Sequence, residues 1–236
     1  MKADVDVPTA SLQRLVTVVR REYMPDSPTH DHSHLARVAA LAATLCRAEG
    51  GNEVIVHCAA WLHDLHREAR PAGREFFVSP EAMDGRAIHY LEVAGIPGHL
   101  HAAVLEAIHY TDRYSFSDRP PHAASLEARC VRDADNLDAI GAIGVARTFA
   151  FGGSHDIPLF VDEAELRARL FEHDEKPAST IHHFYDKLLR LPGELETPTA
   201  RRLGERRGQY LKDFVRQFMW EWDEDFGRPH REPDIE

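Results

Sequence analysis

Helical periodicity runs through this chain almost without interruption, and it leaves little room for any other architecture. From Ser11 to Tyr23, residues Leu12, Leu15 and Val19 share one stripe. From Ser33 to Ala48, residues His34, Val38, Leu41 and Leu45 recur at spacings of four, three and four, which is one face of a helix. Val54 to Leu65 is almost continuously apolar, contains His63-Asp64 near its end, and reads as a helix covered on all sides. Ser79-Pro80-Glu81 has the chemistry of a helix start: a side-chain cap, a proline in the first turn and an acid at the positive end of the dipole. Gly95 and Pro97 end that helix, and another is expected from about Gly98 to Tyr110. A polar, proline-bearing loop is expected from Asp112 to His122. One long helix should then run from Ser125 to about Phe149, with Gly141 and Gly144 admitting a close neighbour. Further helices fit Asp162–Phe171, Ser179–Leu191 and about Thr197 to Trp222, the last with Leu203, Tyr210, Phe214 and Phe218 as its apolar stripe. No stretch alternates like a hairpin strand. The expected class is all-α.

A chain of 236 residues is long enough to bury a full core. Its net charge of −11 argues against a nucleic-acid polymer as partner, because displacing condensed counterions takes clustered Lys and Arg. The Arg201-Arg202 and Arg206-Arg207 pairs read as a solvated helix face. Neither a membrane-spanning apolar run nor a signal core is evident, and Cys46, Cys58 and Cys130 form no Cys-x-x-Cys pair. A cytoplasmic protein with buried, reduced thiols is expected.

The polar residues on the apolar faces are the informative ones. His34 lies on the core stripe of its helix, and His63-Asp64 ends an apolar run. Asp135 and Asp138 stand one turn apart among Val131, Leu137, Ile140 and Ile143. An ionised carboxylate in a dry interior costs several kcal/mol unless something compensates it. Three such sites built only from His and Asp are best explained by a cation between them. A nitrogen and oxygen donor set without thiolate suits one divalent ion such as Mn, Fe, Co, Ni, Zn or Mg rather than a cysteine-built structural zinc. Such an ion, with positions left open, can polarise a phosphoryl oxygen and supply hydroxide near neutral pH.

The order His34-x-x-Arg37-Val38, His63-Asp64, Ala134-Asp135-x-x-Asp138 resembles the HD-domain metal-dependent phosphohydrolase superfamily over about Thr29 to Gly153. Asp133 to Phe149 and Ser179 to Leu189 are similar to a narrower group, small stand-alone bacterial HD hydrolases, some of which are nucleotide pyrophosphohydrolases. The resemblance implies an HD helical bundle over about 29–153, with a C-terminal helical extension over about 160–226 packed on it as one domain. It implies His34, His63, Asp64 and Asp135 as metal ligands, with manganese among the candidate ions. Two-metal relatives carry an extra His-Gly where this chain reads Asp84-Gly85, so one ion is expected, and Asp84 could hold a water.

Around these ligands, Asp138 could orient a water or a ligand histidine, or pair with a base such as Arg37. Arg37 could instead grip phosphate. His109 could assist a leaving oxygen or simply satisfy a helix end. Glu68, one place beyond the position where some HD nucleotidases carry a catalytic Glu, is a further acid–base candidate. His66 and Arg67 could line the mouth of the site or be solvated, and Arg147 could contact phosphate or form a structural ion pair. The other histidines, His30 among them, read as fillers. The resulting expectation is hydrolysis of a phosphate ester or anhydride on a small phosphorylated substrate. A nucleoside triphosphate cut to monophosphate and pyrophosphate is the favoured case. A phosphomonoesterase or phosphodiesterase on the same ion, and a non-catalytic metal- and nucleotide-binding sensor, share these residues. The C-terminal stripe is equally compatible with core packing or a homodimer contact.

Overall fold

The computed structural model describes residues 7–24, 29–68, 78–161, 171–173 and 175–230. Helices α1 (Thr9–Glu22), α2 (His32–Glu49), α3 (Glu53–Leu62), α4 (Asp84–Ala94), α5 (His101–Tyr110), α6 (Leu126–Asp138) and α7 (Gly141–Ser154) are followed by the short α8 (Thr180–His183) and α9 (Leu191–Glu194). The long α10 (Pro198–Asp225) completes the fold. Among the described residues there is no strand, only one parallel bridge between Ser117 and Phe171. The fold is all-α, and none of these helices is long and apolar enough to cross a membrane.

Local chemistry sets the helix ends. Asp31 caps α2 by accepting from Ser33 N and His34 N, both at 3.0 Å, and Gly50 closes it in the left-handed region at φ 87°. Asn52 caps α3, Ser125 caps α6, and Thr197 followed by Pro198 starts α10. The centre of the molecule is α2 packed on α3 and α6, with α5 against α3 and α6. Val38, Leu45, Val56, Ala59, Val104, Ala134 and Leu137 meet there fully buried.

Three expectations are corrected. The single helix over Ser125 to Phe149 is two, because the chain breaks at Ala139–Ile140 and restarts at Gly141 with φ 74°. Arg207 of α10 packs on Gly141, its Cγ 3.1 Å from where a Cβ would stand. The stripe of α10 is also displaced. Ala200, Gly204, Gly208, Leu211, Val215 and Met219 are buried, whereas Leu203 and Tyr210 are exposed. Gly204 and Gly208 let α10 close on Leu195 and Pro192, so small residues mark the first part of its contact face, while Phe214 and Phe218 of the expected stripe do pack against the core. Finally, Ser179 to Leu191 is not one α-helix: α8 runs into a π-helical turn over Phe184–Leu188. The expected helix over Asp162–Phe171 lies, apart from Phe171, outside the described residues, and Phe171 itself pairs with the loop at Ser117.

Helix α6 also anchors the C-terminal region. The buried guanidinium of Arg132 donates to the Glu194 carbonyl (2.7 Å) and carboxylate (2.6 Å) and to Glu196 (3.0 Å). The Asp133 carboxylate accepts from Glu196 N, Thr197 N and the Thr197 hydroxyl. Gly152 of α7 adds a close approach, since a side chain there would collide with Thr180 of α8.

All three cysteines are buried and unpaired, and burial pushes Cys46 up to about 11 and Cys58 and Cys130 up to about 12. The fold therefore holds thiol protons that the unfolded chain releases above about pH 8.5, so these groups reduce stability as the pH rises through that value. A thiol reagent such as Ellman's at pH 8 should label none of the three in the native protein and all three in guanidinium.

Candidate metal centre

Asp31 fixes the start of α2 and so places His34 in its first turn, on the fully buried face toward α6. Helix α3 ends at Leu62, and His63 and Asp64 follow where the chain tightens into a 3-10 turn over Leu65–Glu68. Asp135 and Asp138 share one face in the last turn of α6. His34, His63 and Asp135 each present an atom within 4.8 Å of the other two.

The chemistry of these atoms is one-sided. His34 Nδ1 lies 2.8 Å from Asp138 Oδ2, and His63 Nδ1 lies 2.9 Å from the Ala60 carbonyl. Both partners can only accept, so each ring carries a proton on Nδ1 and turns Nε2 to the shared space, where it takes a cation or, without one, a second proton. The two Nε2 atoms stand 3.3 Å apart. His34 Nε2 is 3.2 Å from Asp64 Oδ2 and 3.5 Å from Asp135 Oδ1, and His63 Nε2 is 3.7 Å from Asp135 Oδ1. Donor atoms bound at about 2.1 Å to one ion stand about 3.0 Å apart at octahedral right angles and about 3.4 Å apart at tetrahedral ones. Asp64 Oδ2 is buried and has no hydrogen-bond partner among the described residues. Lone pairs converging at metal spacing, with an orphaned carboxylate oxygen among them, fit a divalent cation.

The electrostatics agree. Burial opposes an imidazolium at His63, yet the Asp64 and Asp135 carboxylates outweigh it and hold the ring up at about 9. Against its own burial, Asp135 is held well below the usual carboxylate range by His63 and His34. Asp138 is pulled down to about 2, again against burial, by His34, Arg37 and Arg147.

The structure sorts the remaining candidates. Arg37 clasps Asp138 with Nε (2.7 Å) and Nη2 (3.0 Å), which offsets its charge, the alternative weighed beside a phosphate grip. Arg147 also bonds Asp138 (2.9 Å) and the Thr29 carbonyl (2.9 Å), and it sits on α7 rather than on the Asp135 helix. Arg67 bonds Asp64 Oδ1 at 2.5 Å. His66 is neither solvated nor at a mouth. It is buried, with Nδ1 on the His63 carbonyl (3.0 Å) and Nε2 3.5 Å from Asp112, and burial together with Arg67 lowers it to about 4. His109 pairs with Asp84 at 2.6 Å, and neither residue lines the cavity that opens at Asp135, so this arrangement lends no support to a leaving-group role for His109 or a water role for Asp84. The side chain of Glu68 lies outside the described residues.

That cavity, about 140 Å³, opens at Asp135 and is walled by Arg67, Arg147, Lys187, Tyr114, Phe151 and Phe171, with His30 and His183. His30, read as a filler, is one of its walls and meets the His34 ring edge-on at 5.6 Å. Sequence reasoning missed Tyr114, Phe171 and Lys187. The first two sit in irregular segments with no periodicity to betray them. Lys187 lay inside the Ser179–Leu189 stretch, where the family likeness was a signal without an assigned role.

The chain is similar to known proteins along most of its length. Residues 32–140 match the HD domain family. The chain is 37% identical over 208 residues to Bacillus subtilis YpgQ, covering 87% of this chain and 90% of that one. YpgQ has been solved in complex with ADP, at TM-score 0.65 and 28% identity in the structural alignment, over 95% of this chain and 96% of that one. A Lactobacillus plantarum protein superimposes at TM-score 0.77 with 30% identity, over 92% and 98% of the two chains. An HD-superfamily hydrolase from Bacillus thuringiensis does so at TM-score 0.66 with 31% identity, over 89% and 96%.

Replacing Asp138 with Ala should free the His34 ring and lower metal affinity by about 10–100-fold while leaving the helical fold in place. Metal titration followed by circular dichroism of the same samples checks both.

Proposed function

The chain belongs to the HD-superfamily hydrolases and is a metal-dependent phosphohydrolase; from that premise we propose that His34, His63, Asp64 and Asp135 hold its ion and that its substrate is a nucleotide. The favoured reaction is that of a nucleoside triphosphate pyrophosphohydrolase. Water oxygen bonds to the α-phosphorus, the bond from that phosphorus to the bridging oxygen breaks, and pyrophosphate leaves with the electron pair. The products are a nucleoside monophosphate, pyrophosphate and a proton.

The observation that carries this reading is the set of ligand-type atoms 3.2–3.7 Å apart, buried beside a cavity that reaches them at Asp135. A divalent ion bound there supplies positive charge to phosphate oxygens and makes water a better nucleophile. The chain's own residues prepare the place. Asp138 fixes the tautomer and direction of His34, and Arg37 and Arg147 keep Asp138 ionised. Arg67 holds Asp64 Oδ1 and leaves Oδ2 directed at His34. Tyr114, Phe151 and Phe171 give the cavity wall an aromatic character that suits a nucleobase. The ADP complex of YpgQ supports the same ligand class.

Purified protein incubated with nucleoside mono-, di- and triphosphates and an aryl phosphate, each with Mn²⁺, Mg²⁺, Ni²⁺ and Co²⁺, should release pyrophosphate from triphosphates. Orthophosphate from monoesters would instead make it a phosphomonoesterase, and tight nucleotide binding with no product under any metal would make it a sensor. Asp64→Ala should abolish metal uptake and turnover together; stoichiometric metal retained in that variant would remove Asp64 from the ligand set.

A further inference from the structure

Among the described residues, three Lys or Arg side chains line the cavity, and two are already committed. Arg67 is paired with Asp64, and Arg147 with Asp138. Lys187 is different. It makes no hydrogen bond or ion pair with the described residues, and its ammonium stands over the rings of Tyr114 at 4.6 Å and Phe171 at 5.1 Å. Aromatic faces orient a cation but do not neutralise it. A half-buried ammonium without a counter-anion is a costly thing to keep in a folded protein. Burial accordingly lowers Lys187, with Asp112 and Asp135 pulling the other way across the cavity.

The backbone makes the same point independently. Lys187 lies in the π-helical turn Phe184–Leu188, closed by Leu189 N donating to the Phe184 carbonyl at 2.9 Å. Such turns are rare and often sit at functional sites. This one carries Lys187 to the cavity together with His183, one turn earlier.

Resting on the nucleotide reading above, we propose that Lys187 selects the substrate by binding the phosphate chain beyond the phosphorus that is attacked. The site then takes polyphosphate chains in preference to monoesters. A monoester brings about two negative charges near neutral pH, which one divalent ion matches. A di- or triphosphate chain brings more, and the surplus needs a cation not already paired with a carboxylate. Among the described cavity walls, Lys187 is that cation.

The test compares the full-length wild type with Lys187→Gln, Lys187→Met and Lys187→Arg. Steady-state kinetics on a nucleoside triphosphate and on p-nitrophenyl phosphate are paired with calorimetric titration of inorganic tripolyphosphate at saturating Mg²⁺. Loss of the ammonium should raise the triphosphate KM and weaken tripolyphosphate by about tenfold, with kcat moving far less, and Arg should restore most of the loss. The p-nitrophenyl phosphate KM should not move. Unchanged tripolyphosphate affinity in folded Gln or Met variants overturns the proposal, and so does an equal loss on monoester and triphosphate. A wild type that turns over no phosphate compound sinks the nucleotide hydrolase reading alone, because the tripolyphosphate titration still decides the part played by Lys187.

Discussion

Negative charge buried at the centre of an apolar helical bundle is the constraint on which this molecule turns. Asp64 and Asp138 are each 1% exposed at the side chain, and Asp135 stands beside them at the cavity floor. Water cannot solvate these carboxylates, so the protein must supply positive charge locally. It does so unevenly. Asp138 has two guanidiniums and a histidine, and Asp64 has one guanidinium on one oxygen. What is left over faces two imidazole lone pairs, and that remainder is the character of the site.

The same charge explains why the arginines are where they are. In a phosphohydrolase of net charge −11, the simplest arrangement would point the cations at the anionic substrate. Here Arg37, Arg67 and Arg147 turn inward and hold carboxylates in place. Their guanidiniums suit that task, since they stay ionised when buried, and Arg37 grips both Asp138 oxygens at once. The site is thus built in layers: guanidiniums orient Asp138 and Asp64, Asp138 orients His34, and the heads converge below the cavity that opens at Asp135.

The C-terminal helices contribute to that space as well as to stability. Arg132 and Asp133, neighbours on α6, hold α9 and the start of α10, while Asp135 on the same helix points into the cavity. Gly152 allows α7 to close on α8, and the π turn that follows supplies the far wall. The element that carries the acids therefore also anchors the segment that walls the cavity opposite them.

The all-α class, most helix limits, and a polar cluster drawn from His34, His63, Asp64, Asp135 and Asp138 were legible in the sequence alone, while the choice of four among them came from the family resemblance. They are properties of periodicity and of polar residues on apolar faces, which depend only on spacing along the chain. The break after Asp138 was not legible, because only the pressure of Arg207 on Gly141 shows that the glycine turns rather than continues a helix. Nor was the buried face of α10, where two glycines outweigh larger neighbours by allowing close approach. The roles of Arg37, His66, His109 and Lys187 hinged on which partner each side chain reaches. Such partners are set by residues tens of positions away, so only the packed fold could decide them.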